Sequence, residues 1–78
     1  MKNKKKYLII TFNTTADAMA LEDIFKQNNM SGRLIPIPRQ LSSGCGMAYR
    51  INIEAKEKVT DIIKQNNLNI NELEIVEL

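Results

Sequence analysis

The chain has 78 residues, of which 44% are hydrophobic and 26% are charged, and its formal net charge at pH 7 is +2. This length allows one domain with a thin core, and the composition excludes a collagen-like, low-complexity or largely disordered protein. The absence of histidine excludes histidine-based catalysis, and the single cysteine excludes an intramolecular disulfide and a Cys-x-x-Cys site. We therefore expect a protein without a metal or cofactor, located in the reducing cytoplasm.

A basic segment precedes the first apolar run. Four of the eight lysines lie within residues 1–6, for which we predict a flexible arm, with a single domain over residues 7–78. The apolar run that follows is much shorter than the ~18 residues of a membrane span and too short for a signal peptide. No membrane association is expected.

The first half of the domain predicts a strand, a helix and a second strand. Residues 7–12 are mostly aliphatic, aromatic or β-branched, as in a buried strand. Thr14 and Asp17 resemble a capping box, and the apolar residues of segment 16–27 recur on one helical face. In segment 33–38 the prolines are two residues apart, so their missing N–H groups lie on one side of the strand. This spacing predicts an edge strand.

The second half repeats this order of elements. Residues 47–54 alternate between apolar and polar, residues 55–63 have the spacing of an amphipathic helix, and residues 72–78 form a last strand. Residues 62–68 (IIKQNNL) echo residues 24–30 (IFKQNNM), which indicates two βαβ units. With right-handed crossovers, two such units predict an α+β ferredoxin-like βαββαβ fold. Its four-stranded antiparallel sheet has the order 4-1-3-2, with both helices on one face.

The alternation of the strands predicts a different role for each face of the sheet. The predicted core on the helix side consists of Leu8, Ile10, Phe12, Leu21, Ile24, Phe25, Ile35, Ile37, Met47, Tyr49, Ile51, Val59, Ile62, Ile63, Leu73 and Ile75. The opposite face is predicted to expose Ile9, Thr11, Pro36, Pro38, Ala48 and Val76. A mixed apolar surface of this kind is often covered by a second copy, so a homodimer through the open sheet face is one hypothesis.

The topology predicts that two loops meet at one rim of the sheet. The first loop leads from the first strand into the first helix, and the second joins the two middle strands and contains the only cysteine. The candidate site residues are Cys45 as the reactive group and, around it, Asn13, Thr14, Thr15, Arg39, Ser42, Ser43, Gly44 and Gly46. Flanking glycines allow unusual backbone angles and leave the sulfur accessible, and a nearby helix N-terminus or arginine favours the thiolate.

A thiolate in such a loop has a defined chemistry. It can accept a sulfur or selenium atom as a persulfide or selenosulfide without a histidine base. The alternative is an inert Cys45, since free cysteines are among the residues most often buried. A Ser-Ser-Gly-Cys-Gly stretch is poor core material, which favours a position at the surface.

Four segments of the chain resemble a known family. Residues 7–12 (YLIITF), 18–22 (AMALE), 32–39 (GRLIPIPR) and 41–48 (LSSGCGMA) resemble short prokaryotic proteins described as putative selenium/sulfur carrier protein-like. The resemblance extends over roughly residues 7–70 and is most specific between residues 32 and 46. It implies a small cytoplasmic carrier or accessory protein, rather than a stand-alone enzyme, with protein partners of sulfur or selenium transfer. Its acceptor would be Cys45, and Arg33, Arg39, Ser42, Gly44 and Gly46 would belong to the same motif.

A second hypothesis comes from a different functional class. The chain would then be a non-catalytic small-ligand-binding or regulatory module that dimerises through its sheet. RNA binding by a sheet of this topology would need exposed stacking aromatics. Tyr49 alternates in phase with Ile51 and Ile53 and is therefore expected in the core. A net charge of +2 gives only a weak electrostatic attraction for nucleic acid. A nucleic-acid partner is therefore not expected.

Overall fold

The computed structural model describes residues 4–41 and 44–78. Its elements in chain order are β1 (Lys6–Thr11), α1 (Thr15–Gln27), β2 (Arg33–Pro36), β3 (Met47–Asn52), a short 3-10 helix (Ile53–Ala55), α2 (Lys56–Gln65) and β4 (Glu72–Glu77). The strands pair antiparallel in one sheet of order β2-β3-β1-β4. The predicted α+β ferredoxin-like fold and its strand order are confirmed.

The central strand β1 starts one residue before its predicted boundary. Lys6 pairs with Glu77, and Lys5 exchanges two backbone hydrogen bonds with Leu78, at 3.0 and 2.9 Å. Lys5 and Lys6 therefore extend the pairing of β1 with β4. Residues 1–3 of the predicted arm lie outside the described residues.

The prolines of β2 lie at the edge of the sheet, where β2 pairs with β3. Past the last strand residue, the N–H of Ile37 donates to the carbonyl of Gly46 at 3.0 Å. Alternate N–H groups of a strand point in opposite directions, so the nitrogens of Pro36 and Pro38 face away from β3. The predicted edge position is confirmed.

The main core lies between the sheet and the two helices. Its buried residues are Leu8, Ile10, Phe12, Ala18, Leu21, Phe25, Tyr49, Ile51, Val59 and Ile62. Full burial of a large apolar side chain stabilises a fold by about 1.5–3 kcal/mol, so this cluster is the main source of stability. Ile75 was predicted to belong to it, and this was wrong: at the edge strand β4 it is 49% exposed.

The apolar part of the other face of the sheet is buried, contrary to prediction. Ile9, Ala48 and Val76 form a second cluster, against which Tyr7, Ile35 and Leu41 pack. Ile9 and Ala48 are 0% exposed, and Val76 is 8% exposed. Leu41 comes from the segment between β2 and β3, so the chain itself covers part of the face that was expected to receive a second copy.

The phase of β2 is the reverse of the predicted one. Leu34 pairs with Tyr49 and packs against the main core, whereas Ile35 pairs with Ala48 and packs on the opposite face. The expectation of a helix-side Ile35 was therefore wrong. All residues from 34 to 38 are apolar, so their alternation contains no information about which face is buried.

The two similar segments, residues 24–30 and 62–68, form the C-terminal ends of α1 and α2. The side-chain amide of Asn28 donates to the carbonyl of Ile24 at 2.8 Å, and Asn29 is left-handed, with φ of 58°. The N–H of Met30 then donates to the carbonyl of Phe25 at 2.9 Å. This pattern is a Schellman motif with asparagine in the position usually taken by glycine.

The second copy of the repeat ends α2 in the same way. The amide of Asn66 donates to the carbonyl of Ile62 at 2.9 Å, and Asn67 has φ of 54°. The N–H of Leu68 donates to the carbonyl of Ile63 at 3.0 Å. The echo in the sequence thus corresponds to a repeated helix cap that returns the chain towards the sheet.

We expect Asn29→Ala to lower the free energy of unfolding by about 1–2 kcal/mol, because a left-handed backbone is costly for a residue with a β-carbon and no local polar group. Asn29→Gly should leave it unchanged or raise it, since glycine adopts this conformation without strain. Urea denaturation measures both, with Gln27→Ala as a control on the exposed last turn of α1. Equal losses in both Asn29 variants would contradict the explanation by backbone conformation.

Candidate functional site

The structure brings the two predicted loops together through their backbones. A β-carbon at Gly44 would collide with the carbonyl oxygen of Asn13 and lie 3.2 Å from its carbonyl carbon. Asn13 directly precedes Thr14, the N-cap of α1. The cysteine loop is therefore held at the point where the chain leaves the central strand and enters the first helix, and only glycine permits this approach.

Cys45 follows this contact and is half-buried. Its side chain packs against the main core, and its thiol donates to the carbonyl of Met47, with 3.6 Å between Sγ and oxygen. An S–H group is a weak donor, so this contact orients the sulfur more than it stabilises the loop. The sulfur is thus anchored by apolar packing while part of the residue stays open to solvent.

Gly46 serves a different purpose from Gly44. Its φ is 73°, and the position of its missing β-carbon has no neighbour within 4 Å among the described residues. Conformation alone therefore favours glycine here, because the chain adopts a left-handed angle just before β3 begins. The two glycines that flank Cys45 are favoured for independent reasons, one by close approach and the other by backbone angle.

The threonines of the first loop act on the helix. The hydroxyl of Thr14 accepts the N–H of Asp17 at 3.1 Å, and the carbonyl of Thr14 accepts the N–H of Ala18 at 3.3 Å. The predicted cap is confirmed. Thr15 is the first residue of α1, and the side chains of Asn13, Thr14 and Thr15 are exposed.

Arg39 lies in a turn of its own within the cysteine loop. The N–H of Leu41 donates to the carbonyl of Pro38 at 3.0 Å, which places Arg39 at the exposed tip of this turn. Ser42 and Ser43 lie outside the described residues. The structure therefore groups Asn13 with the Gly-Cys-Gly segment and sets Arg39 on a separate turn.

Thr11 fixes the same rim from the side of β4, a role that the sequence did not predict. It is fully buried, and its hydroxyl accepts the amide of Asn71 at 3.2 Å and the N–H of Glu72 at 3.1 Å. The N–H of Asn71 donates to the carbonyl of Thr11 at 2.7 Å. A lone threonine at the end of an apolar run gave no signal for this network.

A groove of about 790 Å³ beside α1 was also not predicted. Met19, which is 61% exposed, lines it together with Met30, Gly32 and Tyr49. Cys45 is not among its lining residues, so this groove is separate from the rim. The sequence contained one signal for this groove, which is a methionine of α1 that lies among acidic residues of the same helix.

Tyr49 forms the floor of this groove. Its ring packs edge-to-face on Phe25, with 5.1 Å between centroids, and a β-carbon at Gly32 would overlap the same ring. Burial raises the pKa of the Tyr49 phenol above its ordinary value of 10.0, and the charge of Glu22 raises it further. A hydrogen bond from the Gly32 backbone acts in the opposite direction but is the smaller effect.

The described residues, 4–41 and 44–78, contain no group of three or more His, Cys, Asp or Glu side chains that could hold a metal ion. In the same part of the chain, neither helix has the length and apolar character needed to cross a membrane.

Comparison with models of protein families matches residues 6–74 of the 78-residue chain to a family described as "Putative Se/S carrier protein-like". The matched range contains both loops of the rim, both helices and the first three strands in full. No curated protein and no solved structure matches the chain.

We expect Gly44→Ala to lower the free energy of unfolding by about 1–3 kcal/mol, the usual cost of overpacking. The β-carbon would push the loop away from Asn13, so alkylation of Cys45 by iodoacetamide should also become faster. Urea denaturation and alkylation rates measure the two effects. Gln40→Ala, at the exposed tip of the neighbouring turn, should change neither. Wild-type stability in Gly44→Ala would contradict the close approach.

Stability should decrease as the pH rises above about 10, in part because of Tyr49. Its phenol has a higher pKa in the folded chain than the ordinary 10.0, so the unfolded chain loses this proton first. The stabilisation is complete below that pH and is lost as the pH rises through the folded pKa. Urea denaturation over a pH series should show a smaller alkaline loss for Tyr49→Phe than for wild type or Tyr7→Phe. Identical pH profiles would contradict this assignment.

Proposed function

The chain belongs to the family described as "Putative Se/S carrier protein-like", and we propose that Cys45 is the residue on which it carries sulfur or selenium. The main structural support for this proposal is the position of the Cys45 thiol. Cys45 is half-buried in a Gly-Cys-Gly segment whose backbone is held against Asn13, at the start of α1. Family and geometry together favour a carrier over an inert core cysteine.

The proposed loading step is a transfer between two sulfurs without net oxidation. The Cys45 thiolate attacks the terminal sulfur of a persulfide donor, R–S–SH. A new S–S bond forms on Cys45, the S–S bond of the donor breaks, and the donor leaves as a thiolate while the proton stays on the transferred sulfur. With a selenium donor, R–S–SeH, the same attack breaks the S–Se bond and leaves a selenosulfide on Cys45.

The loop supplies what such an adduct requires. The transferred atom adds length to the side chain, and the β-carbon position of Gly46, which has no described residue within 4 Å, leaves room on that side of Cys45. In this proposal the contact between Gly44 and Asn13 holds the acceptor sulfur of Cys45 at the start of α1. Arg39, at the exposed tip of the preceding turn, would attract the anionic donor before transfer.

The chain has no other cysteine to complete a catalytic cycle, so its role is that of a carrier or accessory protein between a donor protein and an acceptor protein. A reducing cytoplasm suits this role, since the unloaded thiol must be regenerated. The hypothesis of a dimerising module rested on an exposed apolar sheet face. Ile9, Thr11 and Ala48 of that face are 0% exposed within a single chain.

We expect the purified full chain, incubated with glutathione persulfide and freed of small molecules, to gain the mass of one sulfur atom. Intact-mass spectrometry measures the gain, and dithiothreitol should remove it. Cys45→Ser should show no gain while retaining the circular dichroism of the wild type. Slow loading of Arg39→Gln, at an unchanged rate of alkylation by neutral iodoacetamide, would support the attraction of the anionic donor by Arg39. A wild-type chain that gains no mass would overturn the proposal.

A further inference from the structure

A cluster of cations lies on the sheet face opposite the helices, away from the rim that carries Cys45. Arg33 of β2 and Arg50 of β3 are directly opposite each other in the strand register. The guanidinium carbon of Arg50 is 4.7 Å from the centroid of the Tyr7 ring, and Nζ of Lys5 is 5.5 Å from the same centroid. Two positive side chains therefore lie over one tyrosine, and a third lies opposite one of them, in a protein whose net charge is only +2.

This arrangement is unfavourable unless something compensates for it. Like charges directly opposite each other on neighbouring strands repel and destabilise the pair. Stacking on Tyr7 restrains Arg50, which is half-buried, while Arg33 is exposed. The repulsion between these positive side chains would be relieved by a negatively charged ligand bound between them. The position is therefore suited to an anion.

A small polar cavity adjoins the two arginines. Its volume is about 70 Å³, and Ser31, Gly32 and Asn52 line it together with Arg33 and Arg50. Among the described residues, its lining includes no carboxylate. A volume equal to that of about two water molecules, at roughly 30 Å³ each, is far below the 300 Å³ or more of a cofactor pocket. The cavity therefore suits a small anion.

We propose that this cavity binds a small tetrahedral oxyanion of the phosphate, sulfate or selenate type between Arg33 and Arg50. Guanidinium groups match such oxyanions because their N–H donors form paired hydrogen bonds with two oxygens. The hydroxyl of Ser31 and the amide of Asn52 supply further donors. This site goes beyond the carrier function, since Arg50 lies within β3, five residues after Cys45, and the lining of the cavity does not include Cys45.

The same face is less suited to single-stranded nucleic acid. Base stacking needs an uncovered aromatic ring. Tyr7 is the aromatic residue of this cluster, and Arg50 and Lys5 already lie over its ring. The small volume beside it also favours a free oxyanion over a polymer.

Thermal denaturation in sodium phosphate and in sodium chloride, at equal pH and ionic strength, tests the site. Wild type should melt at a higher temperature in phosphate. Arg33→Gln should lose this gain, yet melt at or above the wild-type temperature in chloride, because the repulsion with Arg50 is relieved. Lys58→Gln, which removes an exposed charge from α2, should keep the wild-type gain in phosphate.

Titration with inorganic phosphate, followed by amide NMR, locates the site. Shifts should concentrate at Ser31, Gly32, Arg33 and Arg50, and Arg33→Gln should bind about tenfold more weakly or worse, as expected for loss of a charge-assisted hydrogen bond. Arg50→Lys, which keeps the charge but loses the paired donors, should also weaken binding. Cys45→Ser should bind phosphate as wild type does, which separates this site from the carrier function.

Two results would overturn the proposal. The first is an equal response to phosphate in wild type, Arg33→Gln and Lys58→Gln, which would reduce the effect to general ion screening. The second is a response of the same amides to a single-stranded oligonucleotide with none to inorganic phosphate, which would assign the cations to a polymer surface.

Discussion

The position of the candidate site depends on the contacts that hold the ends of the segment between β2 and β3 against a sheet that has helices on only one face. The segment is pinned at its base by the hydrogen bond between Ile37 and Gly46. Leu41 packs onto the second apolar cluster, and Gly44 lies against Asn13. A chain of 78 residues has a thin core, so burying this second face matters for its stability. The position of Cys45 is a consequence of this closure, because its two neighbours are fixed by the contacts that close the loop.

The topology could be predicted because local signals constrained it. The prolines of β2 are compatible only with an edge, and the repeated heptapeptide identified two equivalent units. The repeat proved to be a helix cap in both copies, with Asn29 and Asn67 in the same left-handed conformation. Features that depend only on neighbouring residues, such as the N-cap of α1 at Thr14, can therefore be predicted from the sequence.

Contacts that depend on register could not be predicted. The apolar run of β2 has no alternation, and its phase follows from the pairing of Leu34 with Tyr49, a partner fifteen residues away. The same register sets Arg33 opposite Arg50, a pairing that the local sequence around either arginine does not indicate. Ile9 is buried in part because Leu41, from a loop far along the chain, packs against the same cluster. Prediction failed where a residue's environment is decided by another strand or a loop far along the chain.

The rim of Cys45 and the cation cluster are the two ends of one hairpin. β2 is held to β3 by a short ladder that runs from Arg33 opposite Arg50 to Ile37 opposite Gly46. Repulsion acts at the first end, between Arg33 and Arg50, while the hydrogen bond between Ile37 and Gly46 holds the other end. The strand β2 has only four residues, so both features depend on the same few backbone pairs. The two sites therefore share one short ladder but occupy its opposite ends, because the register that sets the arginines opposite each other also places Gly46, next to Cys45, at the far end.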